Sequence, residues 1–228
     1  MDVRTILDIL KNLPLPNSRI TLYLNTARVR EQYFQNGGLE MIETSDAINA
    51  ETKGDIDIKV ASIEGSISNT KGSKGELKIS PLLMAILLEE DKKRNNLIVD
   101  PATSSSIPKG ALLKRVSDTR LVLPSETVNI QTSKFSEDIA NEVQIERDKQ
   151  VKGYEELEKT RKTIVWGDVS RRNVASIVST EFLNPDSFTS YNQGLLGILG
   201  LFEKEISKIR FIAPLWIWHE GFSHDKAK

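Results

Sequence analysis

The residues with the most evident capacity for chemistry are two histidines, each followed at once by a carboxylate. His219 precedes Glu220, and His224 precedes Asp225. Imidazole and carboxylate groups are common metal ligands. A spacing of five, however, places the two histidines on opposite faces of a strand and out of register on a helix. We therefore predict no metal site here, and we expect no Ser-His-Asp hydrolase, since only these two histidines could supply its base.

A second arrangement resembles the Asp…Glu-x-Lys pattern of metal-dependent nucleases. Asp57 lies on one predicted strand, and Glu76 and Lys78 lie on the next. In those enzymes two carboxylates hold Mg²⁺ and a lysine stabilises developing negative charge. Alternating charged and apolar residues also form the solvent-exposed face of an ordinary strand, and we favour that interpretation. A metal-dependent nuclease or phosphodiesterase remains an alternative function.

Several other kinds of site are excluded or lack their motif. None of the 228 residues is a cysteine, which excludes disulfides, zinc–thiolate sites and cysteine nucleophiles. Two Ser-x-x-Lys spacings, at Ser68 and Ser106, lie in predicted turns and not at the start of a helix, where that nucleophile motif belongs. No Walker or dinucleotide-binding loop occurs. We expect no bound cofactor.

The charge balance gives no reason to expect nucleic acid as a partner. Thirty-one basic residues stand against thirty-two acidic ones, for a net charge of -1, whereas binding to nucleic acid or to an anionic membrane requires a basic surface. The longest apolar run, residues 82–88, is far shorter than the ~20 residues that span a bilayer. The first residues do not resemble a signal peptide. We therefore expect a soluble cytoplasmic protein.

The pattern of elements predicts an α+β fold with mostly antiparallel sheet and about four helices, one of them long and polar. Short helices are predicted over 3–13 and 27–35, with Gly37-Gly38 ending the second. Ser80 and Pro81 are a strong helix start, for a helix over 81–94. We divide the chain into an N-terminal α+β region over 1–133, a connecting helix over 134–163 and a β-rich region over 164–228, which could also form one continuous domain.

The predicted long helix begins at Ser136 and extends to about Lys162. Its apolar content falls in the second half, where Tyr154 and Leu157 mark a thin stripe. A helix with so narrow an apolar face is either solvated and braced by charge pairs, or bound to a partner. Tyr154 and Leu157 are therefore candidate partner-binding residues.

The most unusual segment is Phe211-Ile-Ala-Pro-Leu-Trp-Ile-Trp218. Trp216 and Trp218 share one face of any strand, and Pro214 restricts that strand to a sheet edge or to a bulge. An edge strand with large aromatic residues is a candidate partner surface made of Leu215, Trp216 and Trp218. A tryptophan pair that closes the core is the simpler interpretation, and the one we favour.

One loop and one pattern of glycines are also distinctive. Residues 100–110, with two prolines, four Ser/Thr residues and a glycine, form a candidate lid over a small-ligand site. Gly194, Gly197 and Gly200 recur within a predicted strand, which indicates bends or a close backbone approach.

One short segment resembles a known family. Tyr23-Leu24-Asn25, followed by a helix with Val29, Tyr33 and Gln35 and then by Gly37-Gly38, is similar to the opening of an uncharacterised family of bacterial cytoplasmic proteins, which have Tyr-Leu-Asp at this point. The resemblance implies a bacterial source and no activity. Together these observations favour a non-catalytic interaction or regulatory subunit that binds a protein partner or a second copy of itself. A nuclease and a small-ligand sensor are the alternatives.

Overall fold

The structure is a computed structural model that describes residues 1–13, 19–43, 56, 76–101, 103–122, 162–167, 173–206 and 209–221. By its contacts the chain divides into two compact units. The first comprises Met1–Arg19, Leu24–Leu97 and Gly221–Lys228, and the second comprises Ile20–Tyr23 and Ile98–Glu220. The predicted connecting helix over 134–163 falls almost wholly outside the described residues, so the three-part division of the sequence stays a prediction.

The first unit contains three described helices and a short two-stranded sheet. The helices are α1 (Val3–Asn12), α2 (Thr26–Gln35) and α3 (Pro81–Arg94). The strands β2 (Met41–Glu43) and β3 (Glu76–Lys78) pair antiparallel, with Met41 opposite Lys78. Helices α1 and α2 both contact α3, which is therefore the central helix of this unit.

Helix α3 begins and ends as its sequence predicts. The Ser80 side chain accepts a hydrogen bond from the Leu83 N–H, and Pro81 occupies the first turn. The helix is buried on every face from Leu83 to Glu89. Glu89, the first residue of the charged half of this helix, is nevertheless buried, and its carboxylate is paired with Arg19 at 2.9 Å.

The second unit is built mainly of strands. They are β1 (Arg19–Leu24, of which the unit contains Ile20–Tyr23), β4 (Leu112–Val122), β5 (Lys162–Gly167), β6 (Asn173–Ser179), β7 (Gln193–Ile206) and β8 (Ile209–Glu220). A 3-10 turn over Thr180–Phe182 and helix α4 (Pro185–Tyr191) connect β6 to β7. Helix α4, whose N-cap residue is Asn184, was not among the helices predicted from the sequence.

The pairing of these strands closes a five-stranded barrel. β4 pairs antiparallel with β5 and β7, β5 with β6, and β7 with β8. A short parallel pair between Asn173–Ala175 of β6 and Ile209–Phe211 of β8 completes the ring. The five barrel strands, β4 to β8, are the first to the fifth along the chain. Around the barrel they neighbour one another in the order first, second, third, fifth, fourth and back to first, and α4 lies between the third and fourth strands of the chain. This is the topology of the OB-fold barrel, and β1 is added to it beside β8.

The barrel interior is filled by apolar side chains and is plugged at both ends. Strand residues such as Leu113, Ile198 and Ile217 form one buried cluster. Phe188 of α4 enters this cluster near the end where β7 begins, and Ile107 enters it near the end where β4 begins. Since the loop residue Ile107 packs with the strands, the segment that precedes β4 is part of the barrel core.

Strand β8 contains the irregularity that Pro214 predicts. The pairing with β7 shifts between Leu199 and Gly200, so that Trp216 lies opposite Leu199 and Pro214 lies opposite Gly200. Leu215 is thus the extra residue of a β-bulge, where a residue without an N–H is tolerated. The alternative of an edge strand is wrong, because β8 has neighbours on both sides.

The predicted fold class is confirmed. The described part of the chain has four α-helices and a mostly antiparallel sheet. The long polar helix lies outside the described residues except for Lys162, which begins β5. None of the described helices is long and apolar enough to cross a membrane.

Candidate functional site

The tryptophan pair of β8 lies in the protein interior. Trp216 and Trp218 are fully buried, with ring centroids 4.3 Å apart. The Trp216 Nε1 donates a 3.1 Å hydrogen bond to the Thr21 hydroxyl, and the Trp218 Nε1 donates one of 2.7 Å to Glu220. Leu215 is also fully buried. Both indoles and Leu215 are therefore buried, and a contact of these residues with a partner stays a prediction.

The glycines of β7 allow the close approach that their spacing predicts. A Cβ atom on Gly197 would lie 2.1 Å from Cε2 of Trp218, and one on Gly200 would lie 2.5 Å from Cγ2 of Ile212. Because the spacing is three, successive glycines lie on alternate faces of the strand. Gly197 therefore leaves space on the outer face of the barrel, where the Trp218 indole lies, and Gly200 leaves space in the barrel interior.

The candidate residues of the nuclease alternative are only partly described. Asp57 lies outside the described residues, while Glu76 and Lys78 lie on β3, where Lys78 is exposed. In the described part of the chain, no three His, Cys, Asp or Glu residues are grouped as metal ligands. His224 also lies outside the described residues. His219 is buried at the end of β8, with its ring 5.4 Å from that of Tyr191.

The candidate lid over 100–110 is attached to the barrel. Arg210 is fully buried and donates hydrogen bonds to the carbonyl groups of Pro101 and Ser105. Ile107 packs into the barrel core. The Gly110 N–H donates to the Phe202 carbonyl at 2.8 Å. In this conformation the segment closes one barrel end.

The exposed apolar residues of the first unit point to a different surface. Val3, Phe34 and Met41 are 40%, 43% and 41% exposed. They lie within five residues of one contact, in which the Met1 ammonium group donates to the Asn36 carbonyl. The start of α1 and the end of α2 therefore meet there, and β2 begins five residues after Asn36. We call these three residues the apolar corner.

Helix α2 has its ends defined by residues that fix the position of Phe34. The Asn25 side chain accepts from the Arg28 N–H at 3.0 Å and caps the start of the helix. At the other end, Gly37 takes a positive φ of 73°, and the Tyr33 ring lies against Gly38, where a Cβ would be 2.3 Å from the ring. Burial raises the pKa of Tyr33 above its ordinary value of 10.0, and a backbone hydrogen bond at Leu39 opposes this effect.

The surroundings of the apolar corner are polar and of mixed charge. Arg4, Arg30, Glu31, Glu40 and Lys78 are exposed. At the start of α1, the Thr5 N–H donates to the Asp2 carboxylate at 2.7 Å, and this bond lowers the pKa of Asp2. Contiguous exposed apolar patches that are bordered by polar residues mark protein contact sites.

Sequence reasoning did not identify the apolar corner. The signal for Phe34 was present, since Val29 and Tyr33 define the buried face of α2 and Phe34 falls well outside it. Val3 begins α1, but the buried face of that helix is formed by Ile6, Ile9 and Leu10. The other predicted partner-binding residues, Tyr154 and Leu157, lie outside the described residues.

Neither a family model nor a curated protein nor a solved structure matches this chain.

Proposed function

We propose that this chain is a non-catalytic binding subunit of a bacterial cytoplasmic assembly, and that it binds a protein partner through the apolar corner. The observation that carries the proposal is the exposure of Val3, Phe34 and Met41, of which Val3 and Phe34 lie within two residues of the contact between Met1 and Asn36. Partly exposed aromatic and methionine side chains are enriched at protein interfaces. Their burial against a partner would remove apolar surface from water, which is the main driving force of association.

The polar surroundings support a specific contact. A central apolar group bordered by charges of both signs is the arrangement in which a few buried side chains provide most of the binding energy and the border excludes water. Arg30 and Glu31 beside Phe34, and Lys78 opposite Met41, can select a partner of complementary charge.

The experiment starts with cross-linking in the native host, identification of the linked protein, and reconstitution of the pair from purified proteins. Phe34→Ser and Met41→Ser should each weaken binding by about tenfold or more, the usual effect of truncating a central interface residue. Leu195→Ser is the matched control, since Leu195 is 48% exposed but belongs to the second unit. Unchanged affinity in both corner variants would show that the partner binds elsewhere.

The barrel topology favours one second candidate. OB barrels bind oligonucleotides or oligosaccharides on the face of their second and third strands, which are β5 and β6 here. This support is an analogy of fold, and one fold hosts many functions. Titration of labelled single-stranded DNA, RNA and oligosaccharides at low salt checks it. Binding that is absent at low salt, where contacts with phosphates are strongest, would remove the nucleic-acid form of this candidate.

A further inference from the structure

Asn36 and Gly37 follow the last residue of α2, and they form the one Asn-Gly pair in the 228 residues. Asparagine is chemically labile in proteins, and it loses its side-chain amide most readily before glycine. Glycine has no side chain that hinders the attack of its own backbone nitrogen on the preceding side chain. Asn36 is half-buried and Gly37 is exposed, so the pair is accessible to water and is a candidate site of covalent modification.

The reaction begins with the closure of a five-membered ring. The Gly37 nitrogen gives its proton to hydroxide and attacks Cγ of Asn36. The N–Cγ bond forms, the Cγ–Nδ2 bond breaks, and the leaving nitrogen takes up a proton from water and departs as ammonia. Water then opens the ring at one of its two carbonyl groups, which gives either aspartate or isoaspartate at position 36. Water is the only co-reactant consumed, and no oxidant or reductant takes part.

Three hydrogen bonds oppose ring closure in the folded protein. The Gly37 N–H, whose nitrogen is the nucleophile, donates to the Phe34 carbonyl at 2.9 Å. The Asn36 Nδ2, which is the leaving group, donates to the Gln32 carbonyl at 2.7 Å. The Asn36 carbonyl accepts from the Met1 ammonium group. Both reacting groups are thus engaged with backbone carbonyls of the last turn of α2.

The backbone angle at Asn36 opposes ring closure as well. Asn36 has a ψ of 17°, which places the Gly37 nitrogen nearly eclipsed with the Asn36 nitrogen and away from Cβ. The ring needs the Gly37 nitrogen on the side of Cβ, so the Cα–C bond of Asn36 must rotate. Because that rotation also moves the Gly37 N–H and the Asn36 carbonyl away from their partners, the ring can form only when this end of the helix opens.

We propose that Asn36 is a deamidation site whose rate is controlled by opening of the last turn of α2, and that the product destabilises this turn. A carboxylate at position 36 has no donor for the Gln32 carbonyl. It also adds a negative charge at the C-terminal end of a helix, where the helix dipole disfavours it. The loss of ammonia makes the change irreversible. Phe34 of the apolar corner belongs to the same turn, although the modification itself does not depend on the proposed function.

The test compares the unmodified protein in its folded state and unfolded in guanidinium chloride, in one mildly alkaline buffer. Peptide mass spectrometry with fragmentation follows aspartate and isoaspartate at position 36. The folded protein should react at least about tenfold more slowly, since opening breaks several hydrogen bonds. Guanidinium concentrations below the unfolding transition should raise the rate less steeply than they raise the unfolded population, because opening one turn exposes little surface.

Three outcomes of this comparison would overturn the proposal. Equal rates in the two states would show that the fold does not protect Asn36. No reaction at position 36 of the unfolded chain would show that the pair is not labile. A guanidinium dependence as steep as that of global unfolding would show that the helix end does not open by itself.

The exposed residue Gln35, which ends α2, supplies a matched pair of variants. Gln35→Gly and Gln35→Ala both remove its side chain and differ chiefly in helix propensity, which is lower for glycine. Each folded-state rate is divided by the rate of the same variant when unfolded. This ratio should be about threefold higher for Gln35→Gly. Equal ratios would count against control by the helix end.

Asn36→Asp reproduces one of the two products. Asn36→Ala is its control, since it loses the same side-chain donor and adds no charge. Guanidinium unfolding should give the lowest midpoint for Asn36→Asp and an intermediate one for Asn36→Ala. A midpoint for Asn36→Asp equal to that of the unmodified protein would show that the product leaves the turn intact, contrary to the proposal.

Discussion

The indole ring of Trp218 occupies the space that a side chain at Gly197 would need. The two residues face each other across β7 and β8, and a Cβ on Gly197 would be 2.1 Å from Cε2 of Trp218. On the neighbouring strand, the Lys114 ammonium group lies 5.8 Å from the centre of the same indole. The Trp218 indole can therefore occupy this position only because residue 197 has no side chain.

Gly197→Ala should destabilise the barrel by about 1–3 kcal/mol, because an added methyl group in a packed site forces the ring to move. Urea unfolding followed by tryptophan fluorescence measures the change. Leu195→Ala, on the same strand at an exposed position, should change stability by less than about 0.5 kcal/mol. Equal effects of the two substitutions would contradict the packing argument.

Ser176→Ala should also destabilise the barrel, by about 1–3 kcal/mol. The Ser176 hydroxyl donates a 2.6 Å hydrogen bond to the Ile212 carbonyl, just beyond the last parallel pair at Ala175 and Phe211. Without that hydroxyl, a buried carbonyl group loses a hydrogen bond. Ser176→Thr keeps the hydroxyl and is the control; calorimetry should rank Ser176→Ala below it in melting temperature.

The ion pair of Arg19 and Glu89 should respond unequally to removal of each partner. Glu89 is buried, whereas Arg19 is partly exposed. Arg19→Met leaves a buried carboxylate without this guanidinium group and should lower the free energy of unfolding by about 3 kcal/mol or more. Glu89→Gln leaves a neutral acceptor for Arg19 and should have a smaller effect. Chemical denaturation at neutral pH compares them, and the reverse order would be evidence against this view of the pair.

Tyr33 should make stability fall at alkaline pH. Burial raises its pKa in the folded protein above the ordinary value of 10.0, so the unfolded chain loses this proton at a lower pH than the folded protein does. Folding stability from this group is complete below about pH 10 and is lost as the pH rises through the folded-state pKa. Urea unfolding at about pH 8 and about pH 11 should show a smaller loss for Tyr33→Phe than for the wild type.

Elements with strong local signals were predictable from the sequence. Ser80 and Pro81 combine a side-chain cap with a pre-set backbone angle, and α3 extends from Pro81 to Arg94 as predicted. The alternation of apolar and other residues over 19–24 is likewise a local signal for a strand, and β1 occupies Arg19–Leu24. In both cases the information lies within a few neighbouring residues.

Features made by distant residues were not predictable in this way. The barrel closes through the parallel pair of β6 and β8, which joins segments more than thirty residues apart. Glu89 reads as a solvent-facing charge in its helix, but Arg19, seventy residues away, pairs with it in the interior. The contact between Met1 and Asn36 likewise joins residues thirty-five positions apart.

The bulge at Leu215 determines which side chains of β8 face the barrel core. Ile212 and Ile217 both belong to the barrel core, although residues five apart in a regular strand face opposite sides. The extra residue thus reverses, for the rest of the strand, which positions face the barrel interior and which face outward. A regular strand of the same length, without the bulge, would put Ile217 on the outer surface and turn both indoles toward an interior already filled, so the register of this strand is as restricted as its composition.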